Sequence, residues 1–235
     1  MRSGTRLAAA WLVIVAVSAG LLGCGDSDSG NVASTPPPEP AQPEDFPSAK
    51  GKTLRGLLED VGSSGPVIAA SVSEFTPGKN RFGFALFSRA AAQIADAPVV
   101  LYVAPVGGGP VSGPIPARFE RMDVKPQFES RTVSEDKDAA KSLYVADIPL
   151  PDPGRYELLG LARLDGRIVA ATPSGGALTV RRDGPVPDIG ERAPAIDTDT
   201  VASADGNLES IDTRKPPSSM HDVNFAEVVG RRPTV

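Results

Sequence analysis

The sequence of 235 residues has few side chains that can bind a transition metal or act as a thiol nucleophile. It contains one cysteine and one histidine. A structural zinc site needs several cysteine or histidine ligands, so the composition argues against one. A disulfide oxidoreductase needs a reactive thiol and usually a second cysteine, which Cys24 alone does not supply. We therefore expect no metal, no cofactor and no catalytic residue in this chain.

The single histidine restricts triad catalysis to one position. A Ser-His-Asp triad would have to use His221, and the sequence has no Gly-x-Ser-x-Gly elbow to present a serine. The better interpretation of His221 is a solvated side chain or the start of a helix.

Positive charge is also scarce. Lysine and arginine number 24 against 29 acidic residues, a formal net charge of −5. Because nucleic-acid affinity depends on basic side chains that meet phosphates, we expect no nucleic-acid partner. The longest apolar run, residues 7–17, has 11 residues, whereas a spanning helix needs roughly 20. A permanent transmembrane helix is therefore the weaker interpretation of this run.

Residues 1–23 have the layout of a secretory signal, with Arg2 and Arg6 before the apolar run and small residues after it. The run ends in four residues with the pattern Leu-x-Gly-Cys: Leu21, Leu22, Gly23 and Cys24. This box resembles a bacterial lipoprotein signal. The resemblance implies cleavage before Cys24, diacylation of its thiol, and anchoring on the extracytoplasmic face of the cell membrane, since two acyl chains hold stably. The alternative is an ordinary signal peptide with a chance cysteine.

Residues 24–52 predict a disordered tether behind the lipidated cysteine. Glycine, serine and aspartate come first, and six prolines follow between positions 36 and 47. Low hydrophobicity and dense proline favour an extended spacer rather than a packed core.

Residues 53–182 predict one β-domain. A short helix at 53–61, capped by Thr53, precedes it. Short apolar runs then recur about every ten residues between turn-forming residues, which is typical of a sandwich or barrel. The predicted strands are 66–74, 81–88, 97–104, 115–122, 127–133, 142–148, 155–163, 167–172 and 176–181.

Two local patterns support this interpretation. Phe82, Phe84 and Leu86 alternate onto one strand face, so we expect them in the core. The turn Asp165-Gly166 tolerates positive backbone angles and predicts a hairpin of 155–163 with 167–172.

The run Asp152-Pro153-Gly154-Arg155-Tyr156 has the form D-x-G-x-Y. It resembles the tyrosine corner of immunoglobulin-like domains, in which a tyrosine near the start of a late strand bonds back to the backbone. The resemblance implies an immunoglobulin-like β-sandwich of about seven to nine strands, with structural roles for Asp152, Gly154 and Tyr156. Leu158 stands where antibody domains have a cysteine, so their disulfide is absent. A chance turn before a strand is the alternative.

Residues 183–235 predict a linker and a partial second domain. Residues 187–194 resemble the opening of thioredoxin-like domains, and residues 208–217 resemble secreted actinobacterial-type proteins that join a β-domain to such a domain. By this resemblance, residues 225–229 form a short helix and 233–235 begin a strand. The residues that would perform redox chemistry have no counterpart here. The alternative is a disordered tail with chance similarity.

The leading functional hypothesis is a membrane-anchored, non-catalytic lipoprotein whose β-domain is an interaction or positioning module of a thioredoxin-like envelope protein. One alternative is the N-terminal part of an extracytoplasmic thiol-disulfide oxidoreductase. The other is a ligand-binding lipoprotein. The expected partners are the membrane, through acyl chains on Cys24, and envelope proteins, and the expected state is a monomer.

Overall fold

A computed structural model describes residues 38–62, 65–136, 139–184, 186–187 and 189–231. The predicted signal peptide, Leu21, Leu22, Gly23 and Cys24 lie outside these residues, as does the strand predicted at 233–235. The described residues all belong to one compact unit, Pro36–Val235.

The elements are mostly strands. They are β1 (Val67–Ala70), β2 (Gly78–Phe87), β3 (Gln93–Ile94), β4 (Val99–Pro105), β5 (Ser112–Arg121), β6 (Ser142–Leu150), β7 (Gly154–Leu164), β8 (Arg167–Pro173) and β9 (Leu178–Val180). The helices are α1 (Leu54–Val61), α2 (Arg131–Glu135) and α3 (Phe225–Val228), with 3-10 turns at Pro43–Asp45, Pro126–Phe128, Leu208–Ser210 and Ser219–Asp222. The predicted all-β class is confirmed.

Seven strands close into a barrel-like ring in the order β1-β8-β7-β4-β5-β6-β2, because β2 also pairs with β1. β3 adds to β2 and β9 adds to β7. The predicted sandwich is therefore corrected to a closed sheet. One closure comes from β5, which pairs with β4 up to Ala117 and with β6 from Arg118. The other comes from β1, which runs parallel to β8 and antiparallel to β2.

Alternation along the strands builds two hydrophobic clusters on opposite faces of β4, β7 and β8. The inner cluster fills the ring and consists of Ile68, Phe75, Phe82, Phe84, Leu86, Val99, Leu101, Val103, Ala117, Phe119, Tyr144, Ala146, Ile148, Leu150, Tyr156, Leu158, Ala162, Ala171, Leu178 and Val180. The outer cluster consists of Ala41, Phe46, Ala49, Leu54, Leu57, Val100, Tyr102, Ala104, Leu159, Leu161 and Ala170. The prediction that Phe82, Phe84 and Leu86 share a core face is confirmed, since all three are fully buried.

The outer cluster corrects the predicted tether. Residues 41–49 pack against β4 and β7 instead of forming a free spacer, and the Phe46 side chain is only 6% exposed. The Tyr102 hydroxyl donates a 2.6 Å hydrogen bond to the Pro47 carbonyl. The Arg163 guanidinium donates to the Asp45 carbonyl and lies 5.6 Å from the Phe46 ring centre. Pro43 begins the 3-10 turn Pro43–Asp45, and the carbonyls of Asp45 and Pro47 accept these two hydrogen bonds from the sheet.

The helix α1 begins as the sequence predicts. The Thr53 hydroxyl accepts a 3.0 Å hydrogen bond from the amide of Gly56. Leu54 and Leu57 bury the apolar face of this helix in the outer cluster. The helix and residues 41–49 together cover part of the outer face of the sheet.

The strand predicted at 127–133 is wrong. This stretch forms the 3-10 turn Pro126–Phe128 and then α2. Pro126 occupies the first turn of the 3-10 helix, where its missing amide costs nothing. The Ser130 hydroxyl then accepts from the Val133 amide at 3.1 Å and caps α2. The predicted hairpin, by contrast, is confirmed: Leu164 faces Arg167, and Asp165 and Gly166 both have positive φ.

Candidate functional site

A groove of about 720 Å³ lies beside the outer cluster, between α1 and β7. We call it the α1–β7 groove. Its walls are α1, β7 and the segment that connects β8 to β9. Its volume lies within the ~300–1,000 Å³ typical of ligand sites.

The floor of the groove is apolar. Leu54 of α1 and Leu159 of β7 line it, both nearly buried in the outer cluster, together with the exposed side chain of Val106. Leu158 also borders the groove, but its side chain packs in the inner cluster on the opposite face of β7.

The rim of the groove carries four exposed charges. Arg55 and Glu59 are four residues apart on α1 and so share a helix face. Arg155 and Glu157 are two residues apart on β7 and so share a strand face. Among the described residues, none of the four takes part in an ion pair or a side-chain hydrogen bond. The rim therefore presents two positive and two negative groups to a ligand.

The ladder beside β7 is interrupted at the groove. Pairing with β8 ends at Gly160 opposite Ala171, and pairing with β9 resumes at Tyr156 opposite Leu178. From Ala171 to Leu178 the chain advances seven positions while β7 advances four, so three extra residues bulge out. We call residues 173–177, the part of the connection that contains these three extra positions, the bulge. It contains Gly175 and Gly176, whose Cβ positions face open space.

Leu158 is the residue left without a ladder partner on this side. The main-chain carbonyl of Arg155 accepts from the Val106 amide, and the main-chain amide of Arg163 donates to the Pro98 carbonyl. The odd-numbered residues of β7 therefore form their main-chain hydrogen bonds toward β4. Even-numbered residues therefore bond toward β8 and β9, and Leu158 lies in the gap between those two ladders.

A second opening, of about 360 Å³, lies on the other side of the bulge. Its walls include Ile68, Phe75 and Phe82 of the inner cluster. Pro173, Gly176 and Ala177 line both this opening and the α1–β7 groove. The bulge is thus a shared wall between an outer groove and an entrance to the core.

The residues after Val180 dock on the β-domain through α2. Ser130 forms an antiparallel bridge with Arg214. Arg131 donates a 2.9 Å hydrogen bond to the Glu209 carbonyl, and its guanidinium lies 3.6 Å from the Glu209 carboxylate. A cavity of about 570 Å³ remains at this contact, lined by prolines and by charges of both signs.

His221 is not the solvated residue that the sequence suggested. Its Nε2 lies 3.3 Å from Oδ2 of Asp212, and its side chain is 21% exposed. Asp212 also accepts from the backbone amides of Ser218, at 2.6 Å, and Arg214, at 2.8 Å. These amides, that of Ser218 foremost, lower the pKa of the Asp212 carboxyl.

This pair does not form a triad within the described residues. The ring of His221 contacts Asp212 and, through Nδ1, the Asp199 carbonyl, and no described hydroxyl bonds to it. Three contacts with backbone groups, two at the Asp212 carboxylate and one at the His221 ring, hold the loop instead. The arrangement fits a structural role.

The predicted tyrosine-corner residues lie together at the start of β7. The Tyr156 hydroxyl donates to the Asp152 carbonyl at 3.0 Å and accepts from the Asp152 amide at 3.2 Å. Gly154 has a φ of 146°, which a glycine adopts readily. Leu158, in place of a cysteine, packs in the inner cluster.

Sequence reasoning missed the groove, although part of its signal is visible. Arg155 and Glu157 alternate with buried residues along one strand, which marks an exposed pair of opposite charges. Nothing local places Arg55 and Glu59 opposite them, because that depends on how α1 packs.

The described residues contain no group of three or more metal-ligating side chains that could hold an ion. No helix in the described part of the chain is both long and apolar enough to cross a bilayer. Comparisons of the sequence and structure with protein-family models, curated proteins and solved structures gave no match.

Proposed function

We propose that this chain is an extracytoplasmic lipoprotein whose β-domain is a non-catalytic binding and positioning module. The Leu-x-Gly-Cys box carries the anchoring part of the proposal, with Cys24 as the lipidated residue. The α1–β7 groove carries the binding part, because it joins an apolar floor to four charges that have no partner among the described residues.

A fractionation experiment tests the anchor. The full chain and its Cys24→Ala variant are expressed in a bacterial host and separated into membrane and soluble fractions. We expect the unchanged chain in the membrane fraction and the variant in the soluble one, since two acyl chains hold a protein stably and none does not. Retention of the variant in the membrane would contradict lipid anchoring at Cys24.

We further infer an immunoglobulin-like relationship for the β-domain. With β3 and β9 set aside, one half of the ring runs β1-β2-β6-β5 and the other runs β4-β7-β8. These orders correspond to the ABED and CFG sheets of an immunoglobulin constant-type domain. On that correspondence β7 is strand F, which is where a tyrosine corner belongs, and Tyr156 makes the expected backbone contacts.

The packing of residues 208–217 against α2 supports the proposed role in positioning a thioredoxin-like partner. This segment is the one that resembles the lead-in of such proteins, and its contacts through Arg131, Ser130 and Glu209 fix it to the β-domain. An Arg131→Glu variant should release it, because the ion pair becomes a repulsion. Amide exchange at residues 208–214 measures this, with Lys125→Glu as the control; equal protection in both would contradict the role of the contact.

A further inference from the structure

We propose that the second opening, of about 360 Å³, binds a small carboxylate with an apolar body, whose carboxylate pairs with Arg181. We call this opening the window. Residues 69–74 form one side of it, and residues 175–178 form the other. The window is a separate site from the α1–β7 groove, so the proposal goes beyond the binding role given above.

The window is a gap between two main-chain contacts of a parallel pair of segments. At one end the Ser174 amide donates to the Ile68 carbonyl at 3.0 Å, and at the other the Arg181 amide donates to the Phe75 carbonyl at 3.0 Å. Both segments advance seven positions between these two hydrogen bonds. Within the described chain, no main-chain hydrogen bond joins residues 69–74 to residues 175–178.

The odd number of positions explains the gap. Successive residues of a strand face opposite sides, so residues seven positions apart share a face only where the segment turns over once. Ile68 and Phe75 are seven apart and both lie in the inner cluster, and so are Ala171 and Leu178. Both segments therefore turn over beside the window, where a regular ladder cannot continue. The opening is built into the strand register.

The inner end of the window is apolar. Phe75 and Leu178 reach it from the inner cluster and are only 4% and 8% exposed. Val72 and Ala177 add partly buried side chains, one on each side of the gap. An apolar group that enters here leaves water and covers apolar surface of the protein, which favours binding.

The outer mouth of the window is polar and carries one charge. Thr179 and Arg181 alternate with the buried Val180, so both face outward, and Ser73 adds an exposed hydroxyl. Arg181 is the one charged residue that lines the window in the described part of the chain, where it takes part in no ion pair or side-chain hydrogen bond. A carboxylate at the mouth can accept from this guanidinium and from a hydroxyl, whereas a cation would be repelled.

The size of the window favours a small molecule over a polypeptide. The contacts at Ile68 and Phe75 close it at both ends. Its volume is near the lower end of the ~300–1,000 Å³ typical of ligand sites. A single ring or a short alkyl chain with one carboxylate matches the apolar inner end and the positive mouth together.

The test uses the full chain in a non-ionic detergent and 3-phenylpropionate as the probe. Isothermal titration calorimetry, corrected by titration into detergent alone, should show saturable binding with a Kd below ~1 mM. The neutral 3-phenylpropanamide has nearly the same shape and should bind about tenfold more weakly, because it lacks the charge that pairs with Arg181. Equal affinity for the two probes would overturn the pairing of a carboxylate with Arg181.

Two neighbouring arginines locate the site. Arg181→Gln should weaken binding of 3-phenylpropionate about tenfold and leave binding of 3-phenylpropanamide unchanged. Arg182 is exposed and does not line the window, so Arg182→Gln is the matched control and should bind both probes like the unchanged chain. Circular dichroism checks that each variant is folded.

Three results would overturn the proposal. They are no saturable binding of 3-phenylpropionate, a loss of affinity in Arg182→Gln as large as in Arg181→Gln, and amide chemical-shift changes on binding that appear in α1 but not at residues 72–73 and 177–179. Failure here is distinguishable from failure of the anchor, because ligand titration and membrane fractionation are measured independently.

Discussion

The inner and outer clusters lie on opposite faces of the same three strands, yet they are held together differently. The inner cluster is enclosed by the whole ring and includes a chain of ring contacts from Phe75 through Phe82 and Phe84 to Tyr144. The outer cluster is covered mainly by residues 41–61, with Val111 beside them, and relies on hydrogen bonds to the carbonyls of Pro47 and Asp45.

This difference indicates two levels of stability in one sheet. Opening the inner cluster requires unfolding of the ring, whereas the outer cluster can open by release of one terminal segment. Locally opened states of this kind cost less free energy than global unfolding. Since α1 forms one wall of the α1–β7 groove, local opening of the outer cluster also opens the candidate site.

The largest loss of folding stability is expected from Phe84→Ala. Phe84 is fully buried and its ring centre lies 5.5 Å from that of Phe82 and 5.4 Å from that of Tyr144. The cavity should lower the free energy of unfolding by about 3–5 kcal/mol. Urea unfolding followed by circular dichroism measures it. A loss below that of the outer-cluster variants would break the proposed ranking.

Phe46→Ala should cost less, about 2 kcal/mol, because the loss is limited by release of residues 41–61. The variant should also raise amide exchange in α1 while leaving β2 and β6 protected. Phe128→Ala, at an exposed phenylalanine, is the control and should change neither quantity. Uniform loss of protection across the ring would show that the two clusters open together.

Tyr102→Phe isolates the hydrogen bond that holds the N-terminal segment. The Tyr102 hydroxyl donates to the Pro47 carbonyl, and loss of this bond should cost about 1 kcal/mol. Tyr144→Phe should cost more, since its hydroxyl accepts from the Ala97 amide and donates to the Ile94 carbonyl. Thermal or urea unfolding of both variants measures the difference, and equal costs would contradict it.

Alkaline pH probes both clusters at once. Burial raises the pKa of Tyr102 and of Tyr144 to about 12 from the usual 10. A pKa that is higher in the folded state gives stability that is complete below pH 10 and is lost as the pH rises toward 12. We expect the unfolding free energy to fall over this window, and to fall less in Tyr102→Phe and in Tyr144→Phe. An unchanged pH dependence in either variant would exclude that tyrosine as a cause.

The smallest effect on stability concerns the residues after Val180, and none of those that the structure describes belongs to either cluster. The pKa of Asp212 is lowered by the amides of Ser218 and Arg214. Its contribution is therefore present above the usual carboxyl pKa and is lost as the pH falls below it. Amide exchange at Ser218 should rise under acid, and Asp212→Asn should remove the pH dependence. An equal loss of amide protection in the strands of the ring would show that the residues after Val180 do not open independently of it.

Local sequence signals predicted the strands well. The alternation of Phe82, Phe84 and Leu86, the Asp165-Gly166 turn and the Thr53 cap all have their cause within a few residues, and all three are confirmed. The strand prediction for residues 127–133 was wrong, because Pro126 and Ser130 start helical turns there despite the apolar pattern.

Features that depend on distant residues were not predictable. The closure of the ring brings Val67 beside Thr172, a pairing for which no local pattern exists. Phe46 is a lone aromatic among prolines, so its burial could not be read from periodicity. The candidate site could be predicted only in part for the same reason. The charges on β7 follow from the strand pattern, whereas the position of the charges on α1 depends on how that helix packs.

Closure through β1 has a consequence for how copies of this chain meet at high local concentration. β1 has four residues and covers the edges of both β2 and β8. Its release would uncover two strand edges at once, and an open edge is a template for another chain. The same four residues could then close the ring of a neighbour, which is the route to a strand-exchanged dimer. By covering these two edges, β1 prevents edge-to-edge pairing between copies of the chain.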